Sequence, residues 1–172
     1  MLSETLRKNL LQFCDREMDP RSFEAWVCGA QDLEGEIGHG PYVDLISADY
    51  QGRDIAGARE LCERLLEQHH PGNLARYRVR RILRSMLEDD SAVLVGLRRL
   101  VALRHEGYEF IPIEFVGFDS ESDGIPTPDR YRKWDATALA ELLARTQPYL
   151  KQVQQACREL LDDLAQRHPD DI

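Results

Sequence analysis

The sequence has no long apolar run, and its excess of charge is acidic rather than basic. No stretch approaches the roughly 18 consecutive apolar residues that a membrane-spanning helix needs. The 172 residues carry 31 acidic and 22 basic side chains, which gives a formal net charge of -9. A chain with this charge repels a phosphate backbone. We therefore expect neither a membrane protein nor a general nucleic-acid binder.

The motifs of common catalytic and cofactor sites are also absent. The sequence contains no phosphate-binding loop, no dinucleotide-binding glycine motif and no nucleophile-elbow serine. Its five histidines form no pair at the helical spacing that metal sites use. We expect a protein without catalytic residues, metal or cofactor. The alternative is a small helical enzyme in which folding brings His39, His69 or His105 to a carboxylate or a cysteine.

The sequence has only four cysteines, and their spacing indicates neither disulfide bonds nor a metal site. Cys14, Cys28, Cys62 and Cys157 form no C-x-x-C pair, so they predict neither a disulfide framework nor a zinc site. We interpret all four as small core residues in a reducing compartment. The first 19 residues intersperse polar with apolar side chains, unlike a secretory signal. A cytoplasmic location is therefore expected.

Helical periodicity covers most of the chain. Apolar residues recur at three- and four-residue steps in six segments, 3–18, 22–37, 54–68, 73–87, 91–107 and 135–167. Pro148 predicts that the last segment is two helices or one kinked helix. Residues 42–50 fit a short strand or a helix, and helix is favoured. We predict one mainly α domain over residues 1–172, with six to eight helices and a possible subdivision after residue 72.

Residues 108–118, YEFIPIEFVGF, interrupt this periodicity. They are rich in aromatic and β-branched side chains, which favour strands, while Pro112 favours an edge or a break. The sequence therefore predicts one small β or irregular element here. Residues 119–133, DSESDGIPTPDRYRK, then predict an irregular loop, which is long for a compact domain. Loops of this length are more often functional than ordinary connections.

The loop combines acidic and aromatic residues. Asp119, Glu121 and Asp123 alternate with serines, and Tyr131 and Trp134 follow. Acids steer the approach of a basic partner, and aromatic side chains supply desolvated contact area. We predict that these five residues bind a protein partner.

Two alternatives to this interpretation exist. Residues 119–124 imitate the first half of an EF-hand loop, but Arg130 occupies the twelfth position, where calcium requires a bidentate carboxylate. We therefore predict no calcium site. The partner surface would otherwise lie on the acidic N-terminal segment around Glu34, Glu36 and Asp44.

Positive charge is concentrated in the middle of the chain. Residues 73–107 contain 8 bases and 4 acids, whereas the segments on either side are acidic. Arg76, Arg80 and Arg84 recur every four residues, which would align them on one helix face. A nucleic-acid-associated regulator that uses the Arg76–Arg84 face is a further alternative function.

Two stretches of sequence carry a family resemblance. In residues 22–50, a helix with Phe23 and Trp26 and a Leu33-Glu34 pair precede a Y-x-x-L-I-x-x-x-Y segment, Tyr42–Tyr50. Residues 106–110, EGYEF, followed by residues 117–123, GFDSESD, form the second stretch. Together they resemble small bacterial proteins that give immunity to polymorphic or contact-dependent toxins. The resemblance implies a cytoplasmic inhibitor that occludes one toxin domain and has no catalytic residues. A basic toxin domain would be the expected partner, since an acidic inhibitor associates with it rapidly.

Overall fold

A computed structural model describes residues 2–52 and 55–171 of the chain. This part of the chain contains nine α-helices, two short 3-10 helices and no strand. The α-helices are α1 (Glu4–Cys14), α2 (Pro20–Gly29), α3 (Leu33–Ile37), α4 (His39–Ile46), α5 (Ile55–His69), α6 (Asn73–Glu88), α7 (Val93–His105), α8 (Glu114–Glu121) and α9 (Ala136–Arg167). The 3-10 helices are Asp90–Ala92 and Pro128–Lys133. The prediction of a mainly α protein is confirmed, with more helices than the six to eight expected.

The chain packs as two units. Unit 1 ends at Arg78 and unit 2 runs from Val79 to Asp171, so the boundary falls within α6. The description of the whole chain as a single domain stays a prediction.

Unit 1 is centred on aromatic rings. Phe13, from the apolar stripe of α1, is fully buried and stacks on Phe23 of α2 with 3.8 Å between ring centroids. Tyr50 packs edge-on against both rings, and its hydroxyl donates to the Leu45 carbonyl over 2.8 Å. The guanidinium of Arg59 lies over the Phe13 ring at 5.2 Å from its centroid. These contacts tie together α1, α2, α5 and the segment after α4.

The helix ends of unit 1 differ in detail from the predictions. The Asp19 carboxylate, rather than Ser22, caps α2 by accepting from the Arg21 and Ser22 amides at 3.1 Å. Pro20 then occupies a first-turn position, where its missing N–H costs nothing. The predicted helix over residues 22–37 is divided into α2 and α3, and it ends at Gly38 as expected. Within residues 42–50, residues 42–46 belong to α4, which confirms the favoured alternative for that part, and residues 47–50 are not helical. Asp54, the predicted start of the third segment, lies outside the described residues.

Unit 2 has a mainly aliphatic core around the buried Phe115 ring, and Gln154 and Arg80 are among the polar side chains buried in this unit. Gln154 of α9 donates to the Met86 carbonyl over 2.9 Å and to the Asp90 carboxylate over 2.8 Å. Arg80 of α6 is 5% exposed and donates to the carbonyls of Leu164 and His168, at 2.7 and 3.1 Å. These contacts add side-chain donors to carbonyls at or just beyond the ends of α6 and α9.

The last predicted segment forms one continuous helix. α9 contains Pro148 in its interior, and all of its buried residues follow that proline. Leu139, Leu142 and Leu143, which were predicted to share its apolar face, are only half-buried.

Of the two alternatives predicted for residues 108–118, the β element is wrong: residues 108–113 are irregular, and residues 114–118 are helical. Ile111 and Phe115 are both fully buried, Ile111 in the irregular segment before α8 and Phe115 in the first turn of that helix. α8 begins at Glu114, two residues after Pro112, so the proline precedes the helix instead of breaking a strand. Burial of these side chains decides the local structure, because strand propensity mainly reports how a side chain packs.

Candidate functional site

The acidic residues of the predicted partner site belong to a helix end, which corrects the prediction of an irregular loop. Asp119 and Glu121 lie in the last turn of α8, and Asp123 follows it. Between them Ser122 is buried, and its hydroxyl donates to the Asp119 carbonyl over 2.7 Å. Glu121 and Asp123 are exposed, whereas Asp119 is half-buried. The two exposed carboxylates, Glu121 and Asp123, therefore lie on either side of a buried serine whose hydroxyl is held by a hydrogen bond.

The helical structure of residues 119–121 also argues against an EF-hand calcium site. The oxygen ligands of an EF-hand come from a loop, but Asp119 and Glu121 are part of α8 here. Within the described residues, no three His, Cys, Asp or Glu side chains are grouped closely enough to hold a metal ion.

Tyr149 of α9 supports the acidic end of α8. Its hydroxyl donates to the Phe118 carbonyl, and its ring packs edge-on against Phe118 at 6.3 Å. Burial, together with the negative charges of Glu121 and Asp119, raises the pKa of Tyr149 to about 12. The phenol is therefore protonated near neutral pH and holds the α8 backbone as a hydrogen-bond donor.

The two aromatic residues of the predicted site face different surroundings. Tyr131 is half-buried in the second 3-10 helix, and burial followed by the negative charge of Asp89 raises its pKa. Trp134 is 43% exposed and ends that 3-10 helix, with its amide donating to the Tyr131 carbonyl over 3.0 Å. The next residue, Asp135, caps α9. Trp134 is thus an exposed ring on a backbone that is held on both sides.

Basic residues separate the acids from Trp134 along the chain. Arg130, Arg132 and Lys133 are all exposed on the second 3-10 helix. The Thr127 hydroxyl donates to Asp129 and is the main cause of its lowered pKa, with smaller contributions from Arg130 and Lys133. The predicted site therefore has an acidic end and a basic end.

The histidines do not form a catalytic centre in any described hollow. His39 contacts Glu34, with 2.7 Å between Nδ1 and Oε1, but both side chains are largely exposed. The hollows described within the two units contain no histidine or cysteine lining residue. The expectation of no catalysis remains a prediction.

Three of the four cysteines are buried as predicted, whereas Cys28 is exposed. A hydrogen bond with Cys14, together with burial, raises the pKa of the Cys62 thiol. Burial raises the pKa of Cys157 to about 12. Both thiols are therefore protonated near neutral pH, and a protonated thiol is a poor nucleophile.

The predicted arginine face is not formed. Arg80 is buried, and it pairs with Asp171 at 3.6 Å as well as with the two carbonyls at the end of α9. Arg76 donates to the carbonyl of Pro71, which lies just before the first residue of α6. The exposed arginines of α7, Arg98 and Arg99, were missed, although a charged pair at consecutive positions between apolar residues is a visible signal of an exposed helix face.

Comparisons with models of known protein families, with curated proteins and with solved structures find no match to this chain. No helix in the described part combines the length and the apolar character needed to cross a membrane.

Proposed function

We propose that this chain is a protein-binding module without chemistry of its own, which neutralises a cognate bacterial toxin by covering its active surface. The observation that carries the proposal is the exposed Trp134 ring, which follows the exposed acids Glu121 and Asp123 along the chain. Tryptophan is enriched among the residues that dominate binding energy at protein interfaces. The net charge of -9 and the sequence resemblance of residues 22–50 and 106–123 to toxin immunity proteins add support.

In this proposal the two ends of the site have different roles. Glu121 and Asp123, with Asp119 behind them, attract a basic toxin domain and raise the association rate. Trp134 becomes buried in the complex and slows dissociation, and Tyr131 braces the turn on which it stands. Occlusion needs no catalytic group on the inhibitor, only a rigid surface that excludes the toxin's substrate.

The first experiment tests the toxin itself. The product of the adjacent gene is expressed alone and together with this protein, and cell growth and complex formation are measured. We expect the neighbouring product to be toxic alone, and co-expression to restore growth. Absence of both binding and protection would contradict the proposal.

The second experiment locates the surface by kinetics. The variant D119S/E121S/D123S is expected to associate more slowly and with weaker salt dependence than the unchanged protein. The triple variant E141S/E159S/D162S, which removes exposed acids of α9, is the control with the same change in charge. Equal slowing in both variants would show only a general charge effect.

The third experiment tests the aromatic anchor. Trp134→Ala is expected to speed dissociation, at a cost of about 2 kcal/mol in binding free energy if Trp134 is a hot spot. Trp134→Phe keeps a ring and is expected to retain part of that energy. If Trp134→Ala and D119S/E121S/D123S both leave the affinity unchanged, the interface lies instead on the segment around Glu34, Glu36 and Asp44.

A further inference from the structure

A groove runs along the outer face of α7 in unit 2. Its first part is a hollow of about 370 Å³, and a second hollow of about 360 Å³ adjoins it. The two share the lining residues Val95 and Arg99. From Ala92 to Ala102 the lining follows one side of the helix, a distance of about 15 Å at the helical rise per residue. The groove is therefore long enough for an extended segment or several turns of helix.

The charge of the groove is positive. Arginines line both walls: Arg81 from α6, Arg98 and Arg99 from α7, and Arg130 from the second 3-10 helix. Asp129 is the one carboxylate among the lining residues, and it accepts from the Thr127 hydroxyl. Arg98 and Arg99 are exposed and form no ion pair within residues 2–52 and 55–171. Two guanidinium groups are thus available to carboxylates from outside.

Apolar atoms line the groove between these charges. Val95 is 39% exposed, which is high for a valine on a packed helix, and Ile82 and Ala92 lie in the same hollow. Gly96 lets α6 and α7 pack closely beneath the groove, since a side-chain carbon there would approach the fully buried Met86 side chain to 2.4 Å. A ligand that matches this surface needs carboxylates and apolar side chains at short intervals.

We propose that this groove binds an acidic peptide segment of a partner protein, in which carboxylates flank apolar side chains. Arginine pairs carboxylates through two parallel hydrogen bonds, and an amphipathic segment in a groove is a recurrent recognition mode. A nucleic acid fits less well, because its backbone leaves the apolar part unused and the chain's overall charge of -9 opposes it. The proposal does not depend on toxin binding by Trp134 and the acids of α8.

A direct binding measurement tests this proposal. The probe is a fluorescein-labelled peptide of about ten residues, with leucines at three- and four-residue steps among glutamates. Fluorescence anisotropy at low salt is expected to show saturable binding to the protein. The variant R98E/R99E is expected to weaken it by at least about tenfold, because charge reversal places like charges together. The variant R145E/R158E, with the same charge change at exposed positions of α9, is expected to keep the affinity within about twofold.

Several results would overturn the proposal. These are no binding of the probe, equal weakening by both charge-reversal variants, or equal binding of a peptide in which serines replace the leucines. Preferential binding of a single-stranded oligonucleotide would identify a nucleic-acid site instead. Self-association of the protein that R98E/R99E abolishes would identify a second copy as the occupant. Circular dichroism checks that both variants keep their helix content.

Discussion

The two units hold their helices together by different means. Unit 1 places stacked rings at its centre, where Phe13, Phe23 and Tyr50 pack against one another. Unit 2 has a mainly aliphatic core with one fully buried ring, Phe115, and the buried side chains of Arg80 and Gln154 donate to backbone carbonyls. Ring packing depends on shape and volume, whereas the buried hydrogen bonds depend on partner groups being present. The two units should therefore respond to different substitutions.

Each unit contains one of the two tryptophans, which makes this comparison measurable. Trp26 lies against the Phe23 ring in unit 1, and Trp134 lies in unit 2. The variants Trp134→Phe and Trp26→Phe each leave one fluorescence reporter. Urea unfolding followed in these two backgrounds then reports on each unit.

Phe13→Ala is expected to have the largest effect. Removal of a fully buried ring leaves a cavity against Phe23 and should lower the free energy of unfolding by about 3–5 kcal/mol. The change should appear in urea unfolding followed through Trp26. Leu139→Ala in α9 is the control, and its half-buried side chain should cost less than about 1 kcal/mol. A small effect of Phe13→Ala would mean that the stacked rings do not hold unit 1 together.

Arg80→Met is expected to be the most damaging polar substitution in unit 2. It keeps the length of the side chain but leaves the Leu164 and His168 carbonyls without this donor and Asp171 without its cation. Breaking a buried ion pair costs about 3 kcal/mol. Urea unfolding followed through Trp134 measures the change. Arg158→Met, at an exposed position of α9, should leave stability within about 0.5 kcal/mol, and equal losses would contradict the assigned role of Arg80.

Alanine substitution at two glycines of unit 2 should change the stability in opposite directions. Gly96→Ala should be destabilising by about 1–2 kcal/mol, because its new carbon meets the fully buried Met86 side chain. Gly117→Ala in α8 meets nothing within 4 Å and should raise stability by up to about 1 kcal/mol through helix propensity. Thermal unfolding of both variants checks this. Stabilisation by Gly96→Ala would show that the core of unit 2 is loosely packed.

The smallest expected effect is a loss of stability at alkaline pH. The pKa of Tyr149 is raised from 10.0 to about 12, and burial also raises the pKa of Tyr50. A phenol with a raised pKa contributes stability below its ordinary pKa, and that contribution is lost as pH rises through the folded-state value. Stability should therefore decline from pH 10 upward, with the Tyr149 contribution lost by about pH 12.

Tyr149→Phe is the comparison for this pH dependence. It should be less stable at neutral pH and should show a shallower decline above pH 10 when Trp134 reports the unfolding. Tyr50→Phe should do the same for the decline reported by Trp26. Parallel pH curves for a variant and the unchanged protein would exclude that phenol as a source of the dependence.

Much of the helical structure could be predicted because its signals are local. The apolar stripes of α5, α6 and α7 and the Asp135 cap of α9 are visible in the sequence alone. The β prediction at residues 108–118 failed because Phe115 has strand propensity, while its burial with Ile111 depends on residues far along the chain. Asp19 and Ser22 are both good caps, and the prediction started the helix at Ser22, whereas Asp19 is the cap in the structure.

The candidate site was predictable in its exposure but less so in its organisation. Trp134 and Asp123 are exposed, as the predicted partner-binding role requires. The burial of Ser122 and the contact between Tyr149 and Phe118 join α8 to α9 across 31 residues, beyond any local pattern. The prediction that Arg80 lies on an exposed helix face was wrong for the same reason. Its hydrogen-bond acceptor, the Leu164 carbonyl, is 84 residues away along the chain.

Pro148 gives α9 two halves that should open separately. The proline has no N–H, so the Ala144 carbonyl lacks its helical donor, and every buried residue of α9 lies after this point. In hydrogen-exchange terms, amides of residues 136–147 should exchange through local fraying, with little dependence on global unfolding. Amides of residues 150–164 should exchange only when the core of unit 2 opens. The helix would then be a single element by geometry and two segments by opening free energy.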